Sequence, residues 1–335
     1  MTNPEPRPEE VTLDSGPPCN GLEVLTPRDV PLGGPRAMTV RRTLPQRQRS
    51  LIGAWCFLDH YGPDDVRTTG GMQVPPHPHT GLATVSWLFS GLVEHRDSVG
   101  THAVVRPGEL NLMTAGRGIS HSERSTPDTS WLHGVQLWMA LPEQARFIEP
   151  GFDHYVPPAL SGEGWRAQVF LGSLLGSTST VRTHSPVLGA EIRLEPNSVL
   201  ALDVDRRFEH GILVDSGAIF IDGKRLAPNH LGYLPTGASQ ITITTGDSSG
   251  RLVLIGGEPL KEQIVMWWNF VGRSHDDITT YRQRWQDEIA PHDDRNEAPK
   301  RVWYGLPGGD PEGPLSAPAL PGVQLRPRPS TVSRR

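Results

Sequence analysis

The chain has 335 residues, 36% of them hydrophobic and 21% charged, and a formal net charge of −5. That length suggests two domains plus tails, and the acidic balance argues against a general nucleic-acid binder, whose affinity rests on neutralising phosphates. No apolar run approaches the ~18 residues of a membrane span. The start, MTNPEPRPEE, is the reverse of a signal peptide, and two cysteines, Cys19 and Cys56, imply no disulfide framework. A cytoplasmic protein is the default expectation.

Residues 1–20 lack periodicity and read as a disordered arm. From Leu22 apolar residues recur, and VRRTLPQ followed by LIGAWCFLDHYGP reads as the entry into a sheet, opening a β unit over residues 21–145. Gly70-Gly71 reads as a loop. LATVSWLFS carries the β-branched and aromatic residues of a buried strand. GLVEHRDSVG then turns into THAVVRPGELNLMTAG, two strands around a turn at Pro107-Gly108, and HGVQLWMALP closes the series. Short strands at close intervals, with no helix-length pattern, favour an antiparallel sandwich or barrel.

After a Pro- and Gly-bearing connection over residues 142–164 the rhythm resumes in WRAQVFLGS, AEIRLEP, SVLALDV, GILVDSGAIFIDGKRL, SQITITTG and RLVLIGGEPL. These strands predict a second β unit, residues 155–290, repeating the first in pattern but not in residues. Asp222-Gly223 is a two-residue hairpin signal. Ser274 with Asp277 resembles a capping box, and Ile278, Tyr281, Trp285 and Ile289 line one face of the helix that follows. Residues 291–335 read as a disordered Pro-rich tail ending in LRPRPSTVSRR.

The chemistry concentrates in HPHTG and GISHSE. In a strand, side chains at i and i+2 share a face, so His77 with His79, and His121 with Glu123, form two same-face pairs. On neighbouring strands they supply three imidazoles and a carboxylate to one point. No cysteine stands near, which disfavours a structural zinc site. Nitrogen and oxygen donors with room for further ligands suit Fe, Mn, Ni or Cu. Six of the 13 histidines lie between His77 and His133. Among them His95 and His102 read as outer partners of the site or surface residues rather than ligands. His133 reads as a structural histidine, and nothing decides the placing of His60.

FLDHYGP, HPHTGLATVSWLFSG, EHRDSVG, LMTAGRGISHSE and GVQLW, in that order, with GGEPLKEQIV near the end, resemble the pirin family of the cupin superfamily over residues 22–290. The resemblance implies an all-β bicupin, two antiparallel jelly-roll barrels facing each other, with a C-terminal helix. It implies one divalent transition metal, foremost Fe(II), with Mn, Ni, Cu or Zn as alternatives, held only in the N-terminal barrel by His77, His79, His121 and Glu123. His184, His210 and His230 form no HxH or HxE pair, in keeping with a second barrel that has lost its site. Two functions follow from the resemblance. One is a quercetin 2,3-dioxygenase that opens a flavonol-like substrate with dioxygen and releases carbon monoxide, Glu123 being the catalytic base. The other is a non-enzymatic, iron-dependent redox sensor that binds a transcription factor or metabolic enzyme, with Trp267 and Trp268 near the contact. Neither implies direct nucleic-acid or membrane binding. The stretch MWWNFVGRSHDDI departs from the family's usual one.

Overall fold

The computed structural model describes residues 8–14, 19, 21–32, 38–291 and 302–322. The expected disorder of residues 1–7, 292–301 and 323–335 lies outside these. Among the described residues no helix is long and apolar enough to cross a membrane.

Two β barrels account for most of the chain, and the fold is an all-β bicupin. The first pairs a seven-stranded sheet with a four-stranded one. The larger sheet runs in the order Gly151–Tyr155, Leu110–Thr114, Leu82–Ser90, Trp131–Ala140, Trp55–Asp65, Met38–Leu44 and Arg28–Leu32. The smaller runs Gln73–His79, Ile119–Ser125, Val93–Asp97 and His102–Val105. The second barrel repeats the plan with seven and four strands. Asp222 and Gly223 both adopt positive φ, 47° and 78°, and close the hairpin between Ile219–Ile221 and Lys224–Leu226. That backbone twist matches the twist of the paired strands.

The two large sheets pack face to face, so LATVSWLFS is buried on both sides. Ala83, Val85, Trp87 and Phe89 point into the seam, against Leu213, Val253 and Ile255 of the other barrel, while Thr84, Ser86 and Leu88 face the first barrel's interior. The seam face is wholly apolar, whereas the interior face keeps Thr84 and Ser86, both buried. Trp87 stacks on Phe170 at 4.6 Å between centroids and donates its indole N–H to Glu191 Oε2 across the seam at 2.7 Å.

The expected boundaries need correction, because the chain crosses between barrels at both ends. Glu23–Leu25, placed by sequence in the first unit, pairs with Leu231–Leu234 and extends the second barrel's sheet. Conversely, Ile264–Trp267 and Phe270–Gly272 leave the second unit for the first, where Val271 N bonds Thr80 O at 3.0 Å. The arm is also ordered in part: Val11–Leu13 pairs with Ile264–Trp267, and Trp267 Nε1 donates to Pro8 O at 3.0 Å. None of these crossings leaves a sequence signal, because strands of three or four residues contain too little pattern.

The helix His275–Ile289 starts as expected, with Ser274 Oγ accepting from Asp277 N at 3.1 Å, and buries Ile278, Tyr281 and Trp285. The expected disorder of the tail fails over residues 302–322, which form a strap between this helix and the first barrel. One carboxylate, Glu288, accepts from the backbone N–H of Trp303, Tyr304 and Gly305. Trp285 Nε1 donates to Leu315 O at 2.7 Å, and Leu315 N to Pro76 O at 2.8 Å. Such a segment folds through its backbone polar groups, which composition does not reveal.

Candidate metal centre

Gln73–His79 and Ile119–Ser125 are antiparallel neighbours in register His121↔His77 and Ile119↔His79. A bulge falls between His121 and Glu123, so Glu123 pairs with Val74. Bulges re-aim side chains beside functional sites. His77, His79 and His121 are wholly buried and Glu123 nearly so. The ring centroids of the three histidines lie 4.4–5.0 Å apart, and His79 Nε2 stands 3.1 Å from His121 Nε2. Metal-compatible donors group as His77, His79 and His121 and as His95, His121 and Glu123, with His121 common to both. The structure thus brings all four sequence-identified residues together around His121.

Each imidazole is oriented through its other nitrogen. His77 Nδ1–H donates to Pro75 O at 2.9 Å, and its Nε2 is buried with no hydrogen-bond partner among the described residues. His79 Nδ1–H donates to Asn269 O at 3.2 Å. His121 Nδ1 lies 3.4 Å from His95 Nδ1, and His95 Nε2 lies 3.1 Å from Asp97 Oδ2. One proton arrangement satisfies this chain: His95 donates from Nε2 to Asp97, and His121 donates from Nδ1 to His95. All three Nε2 lone pairs then face the common interior. Burial pushes the His77 imidazole down to about 3 and holds His79 and His121 well below the usual histidine range, so the lone pairs are not masked by protons. An orphaned buried Nε2 among neutral imidazoles fits a divalent transition metal, with the outer bonds fixing tautomer and ring angle.

Asp97 is the residue sequence reasoning passed over. It stands opposite His121, as His95 stands opposite Glu123. Its Oδ1 accepts from Val99 N at 3.1 Å and Thr101 N at 2.9 Å, which anchors the relay to the backbone. The i, i+2 spacing of His95 and Asp97, the same as in HPH, was the available signal. His95 is an outer partner, as expected, while His102 is a surface residue paired with Glu94 at 2.7 Å.

Glu123 Oε1 is 3.2 Å from Ser86 Oγ, which is 2.9 Å from Gln136 Oε1. Turning the Gln136 amide over lets its nitrogen donate to Ser86, whose own proton is then free for Glu123. On the opposite side of the same strand, Ser120 Oγ donates to Gly305 O at 2.6 Å, Ser122 Oγ donates to Asp310, and Arg124 makes two bonds to the Asp310 carboxylate at 2.7 and 2.8 Å. The strap therefore braces the strand that carries His121 and Glu123 from behind. Trp267 and Trp268, expected near a partner contact, are buried instead, packed with Phe270.

The family description Pirin matches residues 37–139, and that of the pirin C-terminal cupin domain matches residues 189–289. The chain belongs to the pirin family. This pirin is 43% identical over 270 residues to a Pseudomonas aeruginosa protein named, provisionally, as a quercetin 2,3-dioxygenase, a match covering 80% of this chain and 85% of that one. The crystal structure of a quercetin 2,3-dioxygenase from Acinetobacter baumannii superposes with a TM-score of 0.80 at 35% identity, over 91% of this chain and 97% of that one. A bacterial pirin from Escherichia coli solved with nickel(II) shares the fold at 20% identity and a TM-score of 0.56, over 71% of this chain and 99% of its own.

Proposed function

We propose that this pirin is a metal-dependent quercetin 2,3-dioxygenase acting on a flavonol-like substrate, with Fe(II) held by His77, His79, His121 and Glu123. The observation that carries the reading is the set of three buried imidazoles, with the outer nitrogens of His77 and His79 on backbone carbonyls and that of His121 facing His95, beside a buried carboxylate. The resemblance to proteins named as quercetin 2,3-dioxygenases supplies the substrate class. The overall reaction joins one flavonol to one dioxygen, breaks two carbon–carbon bonds and releases one carbon monoxide.

An iron held here supplies a Lewis acid and a one-electron partner for dioxygen. Glu123 is the base that takes the flavonol's 3-hydroxyl proton, since a carboxylate can keep one oxygen for a metal and accept a proton on the other. Ser86, 3.2 Å from Oε1, steadies that carboxylate. His95 and Asp97 hold the His121 ring while charge moves at the site.

The test uses protein loaded anaerobically with Fe(II), with Mn, Ni, Cu and Zn as comparisons, and follows flavonol absorbance and carbon monoxide together. Glu123→Gln that retains metal is expected to lose roughly 10²–10⁴ in turnover. Turnover equal to the wild type would remove Glu123 as the base. No flavonol loss with any of the five metals would overturn the activity. Burial of Trp267 and Trp268 removes them as a contact for the redox-sensor alternative, whose own test is a partner that binds the ferric and ferrous forms differently.

A further inference from the structure

A second cluster of donors lies on the seam between the barrels, separate from the centre described above. His60 comes from Trp55–Asp65 and His133 from Trp131–Ala140, adjacent strands of the first barrel, and Asp215 comes from Glu209–Ser216 of the second. His60 Nε2 is 2.9 Å and His133 Nε2 2.6 Å from the same oxygen, Asp215 Oδ1, and the two nitrogens are 3.4 Å apart. The side chains of His60 and Asp215 are 1% and 3% exposed, and that of His133 is 12% exposed.

We propose that His60, His133 and Asp215 form a second divalent-metal site, which clamps the two barrels together and takes a late first-row ion such as Zn²⁺. Geometry is the first reason. With metal–nitrogen bonds of about 2.0–2.1 Å, two ligands of a tetrahedral ion sit roughly 3.3–3.4 Å apart. The His60–His133 separation is that edge, and it is close to the 3.1 Å between His79 and His121. To complete the face the carboxylate oxygen, now 2.9 Å from His60 Nε2 and 2.6 Å from His133 Nε2, has to retreat by roughly 0.4 and 0.7 Å.

Chemistry is the second. Two imidazoles and one carboxylate favour zinc, nickel or copper over calcium and magnesium, which prefer all-oxygen shells. Burial holds the His60 imidazole below its ordinary range and therefore neutral, against the opposing pull of Asp215. The partial exposure of His133 leaves a direction from which water can supply a fourth ligand. Arg251 lies 3.5 Å from the other oxygen, Asp215 Oδ2, and its guanidinium is shared with Glu191 at 3.4 Å. Glu191 is itself paired with Arg193 at 2.6 Å, and Arg251 contacts only Oδ2, which leaves Oδ1 to the two histidines. Without an ion, the two imidazole N–H groups share Asp215 Oδ1 as acceptor, so metal binding exchanges these two protons for the cation.

The seam site is independent of the proposed oxygenase chemistry, and the test separates them. Full-length protein, stripped with chelator, is titrated with Zn²⁺ and with Co²⁺, and bound metal is counted by mass spectrometry after desalting. The wild type is expected to take up two equivalents. His133→Ala should lose one, and with it the intense visible absorption of tetrahedral cobalt. His121→Ala should lose the other and keep that absorption. A single equivalent in the wild type, lost in His121→Ala, overturns the proposal, as does a His133→Ala protein that binds as much as the wild type. A seam variant that fails to fold leaves the wild-type count and the cobalt spectrum of His121→Ala to decide.

Discussion

The two barrels share a plan and differ in what fills them. The second is packed with aliphatic side chains such as Ala190, Ile192, Leu202, Ile212, Ile243 and Leu254, all buried. The middle of the first holds three histidines, Glu123, Ser86, Gln136, His95 and Asp97 instead, with apolar clusters on either side. Every group in that polar interior needs a partner, because an unpaired buried polar atom costs on the order of 1–3 kcal/mol. The second barrel needs no such network. Support for the first comes from outside: the strap behind the His121 strand, and the crossing strands that bring Asn269 O to His79. Both barrels borrow chain from elsewhere, but the second takes only the edge strand Glu23–Leu25, whereas the strap and crossing strands of the first support its polar interior.

Removing a ligand should break this comparison most completely. His121→Ala is expected to abolish high-affinity Fe(II) binding, measured by equilibrium dialysis, while the second barrel's fold persists in circular dichroism. Filling and emptying the dry barrel should show the opposite. Ile243→Ala is expected to cost about 2–5 kcal/mol in urea unfolding, with Fe(II) affinity unchanged.

Asp310→Ala tests the brace. Arg124 and Asp310 expose only 11% and 4% of their side chains, so removing Asp310 leaves the mostly buried guanidinium with only the exposed Glu312, 3.5 Å away. A loss of about 3 kcal/mol in stability is expected, together with weaker Fe(II) binding because the His121 strand loses its backing. Stability loss with unchanged metal affinity would show that the strap holds the fold without positioning the ligands. His95→Leu should keep the fold and weaken metal binding by about 10–100-fold, the usual effect of losing a ligand's outer partner.

Acid should give the smallest change. Burial pushes His210 down to about 4, and His60 is also held below its ordinary range. Below about pH 6.5 these rings take a proton in the unfolded chain but not in the folded one, so stability falls as pH drops from there towards 4. For His210 the loss at pH 5 is on the order of 2 kcal/mol, measurable by urea unfolding at pH 7 and pH 5. His210→Leu should remove only that residue's share of the slope, because burial also holds His60, His77, His79 and His121 low.

Much of this was legible in the residues. The period of two in HPH and HSE placed four candidate ligands on common faces, and the register His121↔His77 brought the faces together. Asp222-Gly223 and Ser274 carry their turn and cap in their own chemistry, so they read correctly without context. The relay through His95 to Asp97 was hidden because it depends on which strand lies beside Ile119–Ser125, a pairing between residues about 25 apart.

The chain's own pattern determined that it makes two β units and that the first holds a His- and Glu-rich centre, while the two barrels came from the family resemblance. Periodicity is local, and a strand displays it wherever it folds. Tertiary structure alone decided that Glu23–Leu25 joins the far barrel, that residues 302–322 brace the metal-facing strand, and that His60, His133 and Asp215 meet across the seam. Those outcomes depend on contacts between distant segments, made largely through backbone groups and single side chains, which have no period to read.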